Sequence, residues 1–372
     1  MTGINWQFKY GVSQTDFTSS VLNFSVTTGR QSYLDNYSGG FLTFTIKNQN
    51  NEVANFSLNT FIKLVSTGST SYFVTGIDYN DYPGNTGLST ATITCSDSLS
   101  TSGRTIVTDR FLTNSSCGYQ LELLYPSYTP PIKDQGTSSV ASSTTYTGSL
   151  LQRINQNITT EAGMLIEKSP YIYMVGRNKI NSTSSAGTFG RSGSNMINYQ
   201  SFDRIALGER FMNNVTVSPD GLASQVVSNT ASVSTYGTYS YSVATVDSTT
   251  TQALGLAEWQ SYARSDPTTL SFNIGFDDVA QPDPTCADFL NYCLTYDWAT
   301  FSTATVRNFV LTYRVPGAGS DTSVPVVVEG MSIQGTPDKT SFQVYLSPLT
   351  YYQFFTLNSS TFGILDTSRL GW

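Results

Sequence analysis

Phe41-Leu42-Thr43-Phe44-Thr45-Ile46 sets Leu42, Phe44 and Ile46 apart by single threonines. A period of two is that of a strand with one face in a core and the other in water. The same alternation occurs upstream from Asn23 to Val26, and Gly39-Gly40 supplies a turn between the two strands. Downstream, Asn55 to Val65 and Ser71 to Ile77 continue it. Asp81-Tyr82-Pro83-Gly84-Asn85 is turn chemistry, and Ala91 to Cys95 is a further strand. Residues 1–98 therefore read as one antiparallel barrel or sandwich.

From there the pattern mixes. Residues 99–200 read as a segment with a Pro-, Ser-, Thr- and Gly-rich loop at 126–148, a helix at 149–157 and a hairpin at 162–177. Leu150, Leu151 and Ile154 share one face of that helix. The Ser- and Gly-rich tract from Asn181 to Ser194 reads as a mobile loop. Residues 201–266 form a second mixed segment, with strands at Asn214–Ser218 and Ser240–Val243. Its helix at 252–264 has apolar positions Ala253, Leu256, Ala257, Trp259 and Ala263, and stops before Asp266-Pro267. Residues 267–372 return to strands at Leu270–Ile274, Phe309–Tyr313, Val324–Val328 and Phe342–Leu346, a C-terminal β domain with a docked tail. The expected class is mainly β: several antiparallel barrels or sandwiches with two or three short helices. A chain of 372 residues exceeds the ~150 of one typical domain.

Composition agrees and excludes. Charged residues are 12% of the chain, while 23 Tyr and 21 Phe sit in a background of Ser, Thr, Asn and Gly, a mixture suited to pleated surfaces. A net charge of -7 with scattered basic residues gives no footprint for nucleic acid. The start at Met1 lacks the basic and apolar stretches of a signal peptide, and no apolar run is long enough to span a membrane as a helix. The chain has no histidine, which removes the commonest general base and metal ligand and any Ser-His or Cys-His pair.

Site-like features are few. Asp277 and Asp278 with Asp283 and Asp288 form the densest carboxylate cluster, but without the Gly-punctuated loop of a calcium site they read as a solvated loop. Glu161 and Glu167 are the acid pair a glycosidase would need; a turn and the wet face of a strand account for them better. Phe189-Gly190-Arg191-Ser192-Gly193-Ser194 has the small residues of a phosphate cradle without its strand-and-helix context. Cys95, Cys117, Cys286 and Cys293 read as reduced core residues; the spacing of the last two does not suit zinc, and a disulfide between them remains an alternative. No catalytic residue, cofactor or metal is expected. Tyr351, Tyr352, Phe354 and Phe355 form an aromatic tract too apolar for a solvated tail. They read as interface residues, with burial in the chain's own C-terminal domain the competing reading. Phe362, Leu365, Leu370 and Trp372, in a terminus that would fray unless docked, carry the same two readings.

Several segments in order resemble the minor tail proteins of long-tailed, siphovirus-like bacteriophages, of the baseplate-hub or tail-tip type. Phe24 to Tyr37, with Gly29-Arg30 and Leu34-Asp35, followed by Phe41 to Asn50, is similar to that family's opening. Leu150 to Asn155, Thr160-Glu161-Ala162-Gly163 and the hairpin ending Gly176-Arg177 resemble its middle; Tyr236-Gly237 and Leu256-Ala257-Glu258-Trp259 resemble its second helical signature. Val327-Val328-Glu329-Gly330-Met331-Ser332-Ile333, Thr336-Pro337-Asp338, Leu346-Ser347-Pro348 and Phe362 to Trp372 match its end. The polar stretch from Pro126 to Thr147 and the segment from Phe276 to Thr300 depart from it.

The resemblance implies β-rich domains assembled around a tail axis, without catalysis, metal or cofactor. The expected function is a structural hub-like component of the virion, assembled in the host cytoplasm, that links the tail tube to host-recognition parts. Its expected partners are copies of itself, with a trimer favoured over a hexamer, and other tail proteins: tube, distal tail, tape measure and fibres. A β-sandwich module that binds a host receptor or glycan through exposed aromatic residues is the rival reading.

Overall fold

A computed structural model describes residues 4–33, 35–66, 69–124, 139–168, 171–180, 185–193, 196–206, 211–267, 270–279, 289 and 308–352. The first seven strands are β1 (Gln7–Tyr10), β2 (Thr15–Asp16), β3 (Val21–Gly29), β4 (Phe41–Lys47), β5 (Phe61–Val65), β6 (Ser69–Asn80) and β7 (Thr90–Ser96). They lie in the order β3-β4-β7-β6-β5-β1-β2, all antiparallel. The alternation read in the sequence decides the faces, for Leu42, Phe44 and Ile46 are wholly buried. Trp6, Phe8, Phe17, Phe24, Phe44 and Phe56 fill the interior in edge-on and tilted contacts, 5.1–6.2 Å between ring centres.

The sheet does not end there. The long strand β22 (Thr322–Thr336) pairs with β3 through its second half, with β21 (Asn308–Tyr313) through its first, and with β23 (Lys339–Pro348) along its other edge. Strand β14 (Ser185–Gly190) follows β21, while β20 (Leu270–Asp277) follows β23. Residues 197–206 carry β15 (Ile197–Asn198), paired with β14, and β16 (Ser201–Ala206), paired with β20, and so close a second barrel. The N-terminus bends the first barrel toward the same hairpin: Trp6 Nε1 donates to Thr340 Oγ1 at 2.9 Å and Ile4 N to Asp278 Oδ2 at 2.9 Å. The outcome is one 14-stranded sheet curled into two barrel-like halves that meet where β22 pairs with β3, with segments 1–98 and 267–372 joined in it.

The remaining elements pack outside the barrels. They are α1 (Ser98–Arg104), β8 (Ile106–Leu112), β9 (Ser115–Ser116), α2 (Cys117–Leu124), β10 (Val140–Ala141), β11 (Thr144–Ser149), α3 (Leu150–Glu161), the hairpin β12 (Met164–Lys168) and β13 (Tyr171–Val175), and α4 (Arg177–Ile180). Leu150, Ile154 and Ile158 of α3 pack on Leu121, Leu165, Ile172 and Met174. A separate three-stranded sheet follows: β17 (Asn214–Pro219) between β18 (Gln225–Ser228) and β19 (Ser240–Thr245), with α5 (Thr230–Tyr236) in the connection. Helix α6 (Thr250–Ala263) lays Ala253, Leu256 and Ala257 on Val215 and Val217.

Three expectations are corrected. The tract from Asn181 to Ser194 is not a loop throughout, because Ser185–Gly190 is strand β14, held parallel to β21 with Phe189 wholly buried. Residues 126–148 are not loop throughout either: β10 and β11 occupy their described part, and polar Thr144, Thr145 and Tyr146 pair with β8, a strand too hydrophilic to show periodicity. Helices α1 and α5 are additional, short and polar. Each is started by a side chain, Asp97 Oδ1 accepting from Ser100 N at 2.8 Å and Asn229 Oδ1 from Ser232 N at 3.2 Å.

Candidate functional site

A buried ion pair lies where β3, β22 and the C-terminal turn Leu349–Tyr352 meet. Strand β3 ends at Gly29, whose φ of +76° and contact with the Glu329 carbonyl leave no room for a Cβ. Arg30 follows, its N–H donating to Glu329 O at 3.0 Å. Opposite, β22 carries a bulge between Val328 and Gly330, which turns Glu329 inward. Arg30 Nε meets Glu329 Oε2 at 2.8 Å, Arg30 Nη2 donates to Tyr352 OH at 2.9 Å, and the Tyr352 hydroxyl donates to Glu329 Oε1. Tyr37 and Tyr33 cover the guanidinium, their ring centres 4.5 Å and 5.2 Å from its carbon.

Burial works against the Arg30 charge, but Glu329 and the hydroxyls of Tyr352 and Tyr37 outweigh it and raise the pKa of the guanidinium. Burial pushes Tyr37 up to about 12 and Tyr352 well above the ordinary tyrosine value, so all these hydroxyls stay neutral. A second buried cation, Arg264, lies between the rings of Tyr33 at 4.5 Å and Tyr351 at 4.4 Å. Its pKa is lowered by burial, with the tyrosines opposing the shift. Tyr33 also packs edge-on against Trp259 of α6 and Tyr352. The junction thus fastens both barrels to α6 and to the root of the C-terminus.

A second polar cluster lies under α3. Glu161 Oε2 accepts from Ser139 N at 2.8 Å, Val246 N donates to Thr160 Oγ1 at 2.9 Å, and Arg153 Nη2 donates to Gln120 Oε1 at 3.0 Å. Asp247 accepts from Thr245 Oγ1 at 2.7 Å, and burial pushes its carboxyl up to about 6.

Of the expected interface residues, Tyr351 and Tyr352 are buried in their own chain at this junction. Phe354, Phe355, Phe362, Leu365, Leu370 and Trp372 lie outside the described residues, as do Cys286, Cys293, Asp283 and Asp288. Asp277 and Asp278 are not a solvated loop: Asp277 pairs with Lys339 Nζ at 2.8 Å, and Asp278 Oδ1 accepts from Thr340 N at 2.9 Å. Glu161 is inside the protein rather than at an open turn, and the side chain of Glu167 lies outside the described residues. Phe189 and Gly190 belong to strand β14. Cys95 and Cys117 are free and buried, and burial raises both thiols. Among the described residues no three metal-ligating side chains gather. Arg30, Glu329, Tyr33, Tyr37 and Arg264 were not singled out from the sequence for a site. The available signal was an Arg and a Glu, each beside a glycine, in a chain poor in charge.

The fold as a whole is similar to that of three crystallised tail proteins. The crystallised tail protein of Neisseria meningitidis MC58 superposes with a TM-score of 0.61 at 12% identity, over 93% of this chain and 96% of that one. The 43 kDa tail protein of prophage MuSo2 from Shewanella oneidensis gives 0.58 at 9% identity, over 94% and 98%. The prophage tail protein gp18 of Listeria monocytogenes gives 0.52 at 9%, over 91% and 94%. The sequence itself matches no protein-family model and no curated protein.

Proposed function

We propose that this chain is a structural, non-enzymatic component of a bacteriophage tail tip or baseplate, a hub-like minor tail protein. It assembles as a ring of identical copies around the tail axis, a trimer in preference to a hexamer, and links the tube to host-recognition parts. The observation that carries this reading is the extent of the likeness: more than nine-tenths of both chains superpose for each of three tail proteins. The construction of the molecule supports it. Its buried ion pair Arg30–Glu329 ties together segments 299 residues apart in the chain.

The test is native mass spectrometry of the purified chain, combined with immunogold labelling of particles that carry it. A closed oligomer and label confined to the tail end support the proposal. A stable monomer and unlabelled tails overturn it.

A further inference from the structure

Next to the Arg30 junction, where β3, β4, β22 and β23 meet the segment 31–39, lies an open cleft of about 540 Å³. Its floor follows from strand register. Tyr345 of β23 stands opposite Gly330 of β22, Gly330 opposite Gly29 of β3, and Thr27 of β3 opposite Phe41 of β4. Two aromatic residues, Tyr345 and Phe41, therefore stand toward the two ends of the cleft, with Thr27, Thr28, Gly29 and Met331 between them. With neighbouring strands ~4.8 Å apart, β23 and β4 are separated by about 14 Å, a span suited to a short chain of sugar rings.

The lining is close to neutral. Its ionisable members are Arg30 and Asp35, and the Arg30 charge is taken up by Glu329 at 2.8 Å. What remains toward solvent is the amides of Gln31 and Asn36, the hydroxyls of Thr27 and Ser38, and the ring of Phe41, which is 45% exposed. Aromatic faces beside mixed donors and acceptors suit a ligand that has apolar C–H faces and many hydroxyls. A polyanion is disfavoured by a protein of charge -7.

We propose that this cleft is a binding site for a neutral oligosaccharide, with Phe41 and Tyr345 as stacking platforms and Gln31 and Asn36 as hydrogen-bonding groups. The inference concerns the isolated chain and stands whether or not the chain forms a ring in a tail.

The full-length chain is titrated, with saturation-transfer NMR as readout, against maltotriose, cellotriose, chitotriose and mannotriose, each up to about 10 mM, the weak end of measurable affinity. An anionic trigalacturonate serves as a further probe. Saturable binding of at least one neutral probe is expected. Phe41→Ala should weaken it roughly tenfold, and Gln31→Ala, an exposed change that leaves the fold intact, should weaken it several-fold. Tyr79→Ala, at an exposed tyrosine on a different part of the sheet, should leave it unchanged. Failure of all four neutral probes, preference for the anionic one, or equal binding by Phe41→Ala overturns the proposal.

Discussion

Replacing Glu329 by Gln leaves the Arg30 guanidinium inside the protein with Tyr352 OH and the carbonyl of Asp35 as its polar partners. An uncompensated buried charge costs about 3–5 kcal/mol. Arg30→Met has a cost of the same order, because it strands the Glu329 carboxylate with only the Tyr352 hydroxyl of the triad. The double variant Arg30→Met/Glu329→Gln removes both charges and their desolvation together, so it should lose no more than either single variant, and the coupling between the positions should be about 3 kcal/mol. In thermal unfolding followed by circular dichroism, each single variant should melt roughly 6–20 °C below the parent, taking on the order of 2–4 °C per kcal/mol. The double variant should recover much of that loss. Single variants that lose under about 1 kcal/mol, or a double variant that loses the sum of the two, would refute the assignment of this pair as a buried, mutually neutralising contact.

Asp247→Asn should stabilise the protein in a pH-dependent way. The folded carboxyl is raised from 3.8 to about 6, so the favourable contribution of the protonated form is complete below the unfolded value and is lost as pH rises through 6. The variant should exceed the parent by up to ~3 kcal/mol in denaturant melts at pH 8 and match it near pH 4; a gap independent of pH would exclude the mechanism. Gly29→Ala forces a Cβ against the Glu329 carbonyl at positive φ and should cost on the order of 1–3 kcal/mol by urea unfolding, whereas an unchanged midpoint would mean that β3 and β22 do not approach as described. Phe189→Ala should cost about 3–5 kcal/mol, because its ring is wholly buried against Phe309 at 5.0 Å; a loss under ~1 kcal/mol in the same assay would mark Ser185–Gly190 as a surface loop.

Most strands of the two barrels were legible because their apolar residues alternate: Leu42-Phe44-Ile46, Phe24-Val26 and Phe342-Val344-Leu346 are buried as the period requires. Helices α3 and α6 were legible from apolar residues at helical spacing, and each runs a few residues beyond or before the expected bounds. Strand β14 was hidden because Ser185-Ala186-Gly187-Thr188 offers almost no hydrophobic signal ahead of Phe189. Its place comes from pairing with β21, more than a hundred residues later. The caps Asp97 and Asn229 were readable signs of α1 and α5, masked by the polar composition of those helices. The junction was the least legible feature, since Arg30 and Glu329 are 299 residues apart and meet only after both barrels form. Even so, Gly29-Arg30 with Tyr33, Trp259, and Glu329-Gly330 come from three separate fragments of the tail-protein resemblance, and the fold brings them together.

Cryo-electron microscopy of intact particles, with the two-barrel fold fitted into the density at the tail end, tests the proposed place in a phage tail most directly. Density for several copies closed around the tail axis, with the barrels packed side by side, is the predicted result. A tail tip fully accounted for by other chains, with this protein isolated from the same lysate as a solitary molecule, would contradict it.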